Sequence, residues 1–479
     1  MTSLTTLAQL ILKNCEALDA SCVARGIAVP SLDDLAYTPG SDVANHDPAV
    51  GEAIRTVTNA ALQLLSTVRP TPLVLYSLAL GGTVSAAAHV AAELHVAEAL
   101  KESGEKGLHI NDIAAKCKTD PLKLAPILRL LASHWVFKEV TPDVFANNRM
   151  SSLLDKGQSV EELQKYPESK YSKPSAGMAA GINHFGDETL KLSAHLYEAL
   201  SDPDWTFSSA SNKCAANKAF NTDLTLWKFY EQPEQRERYD RFKIMMASAE
   251  KFQAPDLISK SFDWMSLPKD AVVVDVGGGM GNISMLIAKA NPELKVVCQD
   301  LPETIETGKG RWNGKEREGE ASMIAAGRVS LQAYDFFSAQ PIKNASVYFL
   351  KHVLHDWSDA ASLEILRNIR AAAGPDTKLV VMDKVLPYTC LVSEDTDTTE
   401  VPGYMRPTLP APLTNVGAAS AGFPYTAAMQ MLMIGNGQER TINHFVRLLK
   451  EAGWKLECVR QSDALAQNPS SLTAVPIPI

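Results

Sequence analysis

Two short runs carry residue types able to do chemistry: Asp275-Val276-Gly277-Gly278-Gly279-Met280-Gly281 and Lys351-His352-Val353-Leu354-His355-Asp356-Trp357. In the first, an acidic residue heads a turn of glycines, which lack Cβ and tolerate positive φ, so the backbone can bend sharply and approach a ligand. Such a turn suits a nucleotide-like cofactor. In the second, histidine is the side chain whose ordinary pKa lies nearest neutrality, a candidate proton acceptor. Two acidic residues further on are candidates to orient it: Asp383, after Leu379-Val380-Val381-Met382, and Glu439, within Asn436-Gly437-Gln438-Glu439-Arg440-Thr441. Taken singly, Asp383 also reads as a loop residue and Glu439 as a charge at a helix N-terminus.

The glycine spacing separates cofactor classes. A dinucleotide fingerprint needs G-x-G-x-x-G, and counting from Gly277 and Gly279 puts Asn282 at the third glycine position. The dinucleotide reading therefore fails, and a nicotinamide oxidoreductase is disfavoured with it. About 20 positions beyond the turn, Asp300-Leu301-Pro302 closes a second apolar run, where a carboxylate can accept both hydrogen bonds of a ribose diol. Asp335-Phe336 follows a third such run, a carboxylate for an adenine amino group and a ring for its face.

These groups need a scaffold. Ala271-Val272-Val273-Val274 has no polar alternation, which predicts a parallel strand covered on both faces. After the turn, Ile283, Leu286, Ile287 and Ala290 recur at helical spacing. From about residue 265 strands and helices alternate, predicting an α/β fold with a mostly parallel, doubly wound sheet. Ligands of open α/β sheets bind at the carboxyl ends of the strands, where Asp300, Asp335, His355 and Asp383 all fall.

Upstream, residues 1–65 show helical patterning broken around Pro30 to Asp47. Asp120-Pro121 reads as N-cap and first helical residue, followed by an apolar helix to Trp135 and a hairpin-like run to Phe145, which resembles a winged helix. Pro126 either kinks that helix or marks its start. The helix offers Lys123 and Arg129 among many leucines, so packing or dimerisation fits better than DNA binding. Pro72 to Ala92 carries no charge and is long enough to span a bilayer, but Gly81, Gly82, Thr83, Ser85 and His89 favour a closely packed helix. A net charge of −9 argues against nucleic acid or anionic membrane as main partner. Seven scattered cysteines without a C-x-x-C pair suit a reducing compartment, and no export signal is read at the N-terminus, so a cytoplasmic location is expected. No cluster spaced for a metal is visible.

In their order, the Asp275–Gly281 turn, Asp300-Leu301-Pro302, Asp335-Phe336, Lys351 with His355-Asp356-Trp357, and Glu439-Arg440-Thr441 resemble the class I S-adenosylmethionine-dependent O-methyltransferases of the plant caffeic acid type and their fungal polyketide-phenol relatives. The likeness covers residues 70–475. It implies an S-adenosylmethionine-binding catalytic domain over 261–479, a winged-helix dimerisation domain over 66–155, and a homodimer acting on a small aromatic hydroxylated substrate. Residues 1–65 would form a helical extension and 156–260 a helical linker bearing substrate contacts. Asp275, Gly277, Gly279, Gly281, Asp300, Leu301, Asp335, Phe336 and Lys351 would bind the cofactor. His355 would be the general base, held by Asp383 and Glu439, with Phe242, Met246 and Trp357 at the acceptor. Plant members carry Glu where this chain has Asp383, so that contact is expected to be looser. Residues 388–424 exceed an ordinary loop and read as an insertion or lid. Methylation of N or C on the same fold, or a non-catalytic cofactor-binding scaffold, stays open as the alternative.

Overall fold

The computed structural model describes residues 3–42, 48–250, 253, 256–312, 318–392, 400–462, 465 and 468–478. The chain divides into two compact units, one of residues 1–199, 215–252 and 410–413, the other of 200–214, 253–409 and 414–479.

The first unit is mainly helical. Helices Leu4–Arg25 and Pro48–Val68 pack on each other, the former capped by the Ser3 side chain at its start and by Gly26 at φ +64 at its end. The winged-helix pattern is present: β1 (Leu108–His109), helices Ile110–Lys116 and Pro121–Ser133, then β2 (Lys138–Thr141) and β3 (Val144–Ala146) in a small sheet ordered β1-β3-β2. Asp120 caps the second helix by accepting from the Leu122 N–H, so the helix starts there and contains Pro126. Leu124, Leu128 and Leu131 point into a core with Phe137 and Phe145. Arg129 is occupied by Glu139 and Asp143, which leaves that helix poorly equipped to grip phosphate.

The uncharged stretch forms two helices, Thr71–Ala79 and Gly81–Glu93, bent 43° from each other; among the described residues no single helix is long and apolar enough to cross a membrane. Its second half packs closely, burying Ala87, Ala91 and Ala92, and a Cβ on Gly186 would lie 2.4 Å from His89 Cβ. The first half differs from the expected buried helix. Leu75 and Leu78 are 68% and 74% exposed in the single chain.

The second unit is built on a seven-stranded sheet of order β6-β5-β4-β7-β8-β10-β9. Its strands are β4 (Val272–Val276), β5 (Lys295–Asp300), β6 (Val329–Ala333), β7 (Val347–Lys351), β8 (Lys378–Asp383), β9 (Trp454–Arg460) and β10 (Ser470–Pro476). The first five run parallel, and β10 is antiparallel to β8 and β9. The valine run is buried on both faces as expected: Val274 and Val276 enter one core, with Tyr348 and Ile365, and Val273 the other, with Met285 and Phe349. Strand order reverses between β4 and β7, which opens a crevice at their carboxyl ends.

Of the expected insertion, Glu394, Asp395 and Asp397 lie outside the described residues. The rest is not all loop: Val416–Ser420 forms a 3-10 turn and helix Phe423–Gly435 begins before the segment ends.

Candidate active site

The glycine turn follows β4 and leads into helix Asn282–Ala290. Gly277, Gly279 and Gly281 have φ of +71, +58 and +90, a region that side chains rarely adopt. A Cβ on Gly277 would sit 2.8 Å from Val353 Cγ2, whereas one on Gly279 would meet nothing within 4 Å, so the turn is tight on one side and open on the other. The Gln299 carbonyl accepts from the N–H groups of Gly277 and Gly278. Asp300, at the tip of β5, accepts from the Gly279 and Leu301 N–H groups, each at 2.8 Å. The Thr304 hydroxyl also donates to this carboxylate, which keeps acceptor capacity for a hydroxyl of a diol.

Asp275, assigned to the cofactor by the resemblance, sits at the base of the turn. It is 1% exposed, lies beneath the turn, and accepts from the Ser284 hydroxyl at 2.6 Å. Burial pushes its pKa up to about 6, with the Ser284 hydroxyl and the Lys351 charge opposing. Asp335 is exposed and accepts from the Phe337 N–H, while Phe336 reaches within 3.7 Å of the Cβ position on Gly277. Trp357, expected at the acceptor, packs edge-on against Phe336 and Phe337 at 5.8 and 4.9 Å. Lys351 closes β7, partly buried. Phe242 and Met246 belong to the first unit, on helix Arg236–Ala249, where Phe242 lies among Trp227, Tyr230 and His184.

After β7 the chain turns at His352, whose φ of +54 is unusual for a residue with a side chain, and enters a single 3-10 turn, Leu354–Asp356. This presents His355. Its Nδ1 lies 2.9 Å from Glu439 Oε1, and its Nε2 lies 3.6 Å from Asp356 Oδ1. Burial disfavours charge on the ring, but the Asp356, Glu439 and Asp383 carboxylates outweigh it and lift the pKa to about 10. Asp383, at the end of β8, does not hydrogen-bond the ring. It is 1% exposed with both oxygens unpaired, consistent with a side chain one methylene too short, and burial raises its pKa to about 7. Glu439 alone supplies the hydrogen bond.

The backbone of the histidine turn is gripped by the segment that carries Glu439. The Gln438 N–H donates to the His355 carbonyl at 2.8 Å. Arg440, 1% exposed, donates to the carbonyls of Leu354 and Trp357 at 2.7 and 2.8 Å and pairs with Asp359. A Cβ on Gly437 would lie 2.3 Å from the His355 carbonyl oxygen. Gly437→Ala is therefore expected to displace this turn, costing about 1–3 kcal/mol of stability and lowering turnover, read by urea unfolding and initial rates. Unchanged values for both would show that the contact relaxes freely.

Although no spacing in the sequence signals a metal, folding brings a ring nitrogen of His352, one of His355 and an oxygen of Asp383 within 4.8 Å of one another. His352 and Arg440 were not singled out from sequence. The first was visible only as H-x-x-H with no third ligand, and the second only as one letter of a motif.

Comparison with known proteins agrees with this architecture. Residues 198–406 match the family model of the O-methyltransferase domain and residues 76–157 that of the O-methyltransferase dimerisation domain, which supports a homodimer. An O-methyltransferase of Armillaria gallica is 39% identical over 480 residues, 99% of each chain. The 4-O-methyltransferase 1 of Phanerochaete chrysosporium is 36% identical over 460 residues, 96% of each. Among solved structures, LepI in complex with SAM gives a TM-score of 0.63 at 19% identity over 88% of this chain and 94% of that one. The mitomycin 7-O-methyltransferase MmcR gives 0.60 at 22% over 85% and 98%; both likenesses speak to fold. With two O-methyltransferase domain matches and a relative aligned end to end, the chain belongs to the S-adenosylmethionine-dependent O-methyltransferase family.

Proposed function

We propose that this enzyme methylates the hydroxyl of a small aromatic metabolite, a phenol, with His355 as the base that takes the hydroxyl proton. The observation that carries the reading is the 2.9 Å bond from His355 Nδ1 to buried Glu439, which fixes the ring and leaves Nε2 for the acceptor. The open face of the glycine turn and the Asp300 carboxylate beside it fit S-adenosylmethionine. When bound, that molecule supplies an electrophilic methyl group on a sulfonium centre.

A phenol has a pKa of about 10, so at neutral pH its oxygen needs a base as it attacks. His355 Nε2 accepts the proton, and Glu439 stabilises the imidazolium that results. Asp356 and Asp383 add to that stabilisation through space. Because these carboxylates hold a proton on the ring in the resting site, His355 becomes a competent base more readily once a positive charge is bound nearby. Asp275 and Ser284 keep the glycine turn in shape from below, and Phe242 and Met246 are assigned to the aromatic acceptor.

The test is to incubate the protein with trideuteromethyl-labelled S-adenosylmethionine and matched phenols and anilines. Label on phenolic oxygen is expected; label on nitrogen or carbon, or none, would replace this reading. Asp300→Ala, which frees the Gly279 N–H and removes the diol acceptor, is expected to raise the cofactor KM about 10- to 100-fold with a smaller change in kcat. A normal KM would remove Asp300 from the cofactor site.

A further inference from the structure

We propose that His352, His355 and Asp383 form a binding site for a divalent cation of the zinc class, and that its occupancy switches methyl transfer off. Two imidazoles and one carboxylate are a donor set suited to zinc, cobalt or nickel, and three protein ligands with an open position are what such ions commonly take. The donors lie on one short turn and on the end of the neighbouring strand β8, both braced by the sheet.

Three observations point to a cation. First, both Asp383 oxygens are buried without a hydrogen-bond partner, as are His352 Nδ1 and Glu439 Oε2. Buried polar atoms are rarely left so. Second, His355 Nδ1 is held by Glu439, which leaves Nε2 for a ligand and reproduces the carboxylate–histidine–metal arrangement that orients metal-binding imidazoles. Third, the three donor atoms lie within 4.8 Å of one another. Bonds of about 2.0–2.2 Å at tetrahedral angles set donors about 3.3–3.6 Å apart, so the side chains draw together by about 1 Å through rotamer adjustment on binding.

The consequence follows from the shared nitrogen. A cation binds His355 Nε2 by displacing the proton that the carboxylates hold on the ring, which passes to solvent, and it then occupies the lone pair that would take the hydroxyl proton, so cation and acceptor exclude each other. The site itself does not depend on His355 being the base, only its inhibitory effect does.

The test uses the full-length, tag-free protein. Cobalt(II) titration should show visible d–d bands of a low-symmetry site, one equivalent per chain, without the near-ultraviolet band of thiolate ligation. Zinc should displace the cobalt. His352→Gln, and separately Asp383→Asn, should weaken binding at least about tenfold, with folding checked by circular dichroism. Zinc should inhibit wild-type methyl transfer, reversibly on chelation, at the concentration that fills the site. Absence of binding, or binding undisturbed in both variants, overturns the site. If cobalt binds as expected but zinc leaves methyl transfer untouched, the inhibitory role falls. A wild-type protein that binds no cobalt or zinc yet still requires His355 in catalysis would refute this proposal and leave the functional reading standing.

Discussion

His355→Ala is expected to lower methyl transfer to a phenol by about 10²- to 10⁴-fold while the protein still binds S-adenosylmethionine. The separation of the two effects follows from the sheet. His355 stands on the turn after β7, whereas the glycine turn is held by β4, the Gln299 carbonyl and Asp300 of β5. The ring is only 15% exposed and makes its hydrogen bond to Glu439, so removing it leaves a small void and one unpaired carboxylate without disturbing the glycine turn. Equilibrium dialysis of the cofactor together with single-turnover rates distinguishes the cases. Loss of both would mean that the turn had collapsed, and loss of neither that His355 is a bystander.

The second large effect is on pH dependence. His355 is lifted from its ordinary 6.5 to about 10 by the Asp356, Glu439 and Asp383 carboxylates, against the cost of burial. Only the neutral ring accepts a proton, so activity requires the deprotonated form. With the pKa raised to about 10, that form falls about tenfold for each pH unit below it. In metal-free buffer, kcat/KM, which reports ionisations of the free enzyme, should climb about tenfold per pH unit across the alkaline range. Glu439→Gln removes a negative charge and substitutes a neutral acceptor at Nδ1, so the imidazolium is less favoured and the rise should move to lower pH. A break near the ordinary histidine value in wild type, unmoved in Glu439→Gln, would mean that the carboxylates do not govern the ring.

The elements that position the site were readable from sequence because each is a local pattern. A valine run buried on both faces, glycines at fixed spacing and an Asp closing an apolar run are dictated by neighbours in the chain, and the structure has the first at β4, the second in its turn and the third at the ends of β5 and β8. His355 was readable for the same reason. What escaped depends on contacts across the sheet. The helix after the glycine turn brings Ser284 back onto Asp275, a contact that no spacing announces. Asp383, by contrast, was expected to make a looser contact because it is one methylene shorter than the family's usual Glu, and its oxygens make no hydrogen bond. Arg440 is a residue type usually found in water, and the carbonyls of Leu354 and Trp357, the Ser362 hydroxyl and the Asp359 carboxylate together hold it in the interior. Trp357 meets Phe336 and Phe337 from a different strand, which no spacing encodes. The uncharged helix Thr71–Ala79 has the composition of a buried element and is exposed in the single chain, since composition does not say what an element packs against.

The measurement that bears most directly on His355 as base is the dependence of methyl transfer on acceptor acidity. Wild type and His355→Ala would be compared under single-turnover conditions on a series of phenols of similar shape, from alkyl-substituted to nitro-substituted. If His355 takes the hydroxyl proton, the deficit of the variant should be large for weakly acidic phenols and shrink towards none for nitrophenols already ionised at the assay pH. An equal deficit across the whole series would contradict proton transfer to His355.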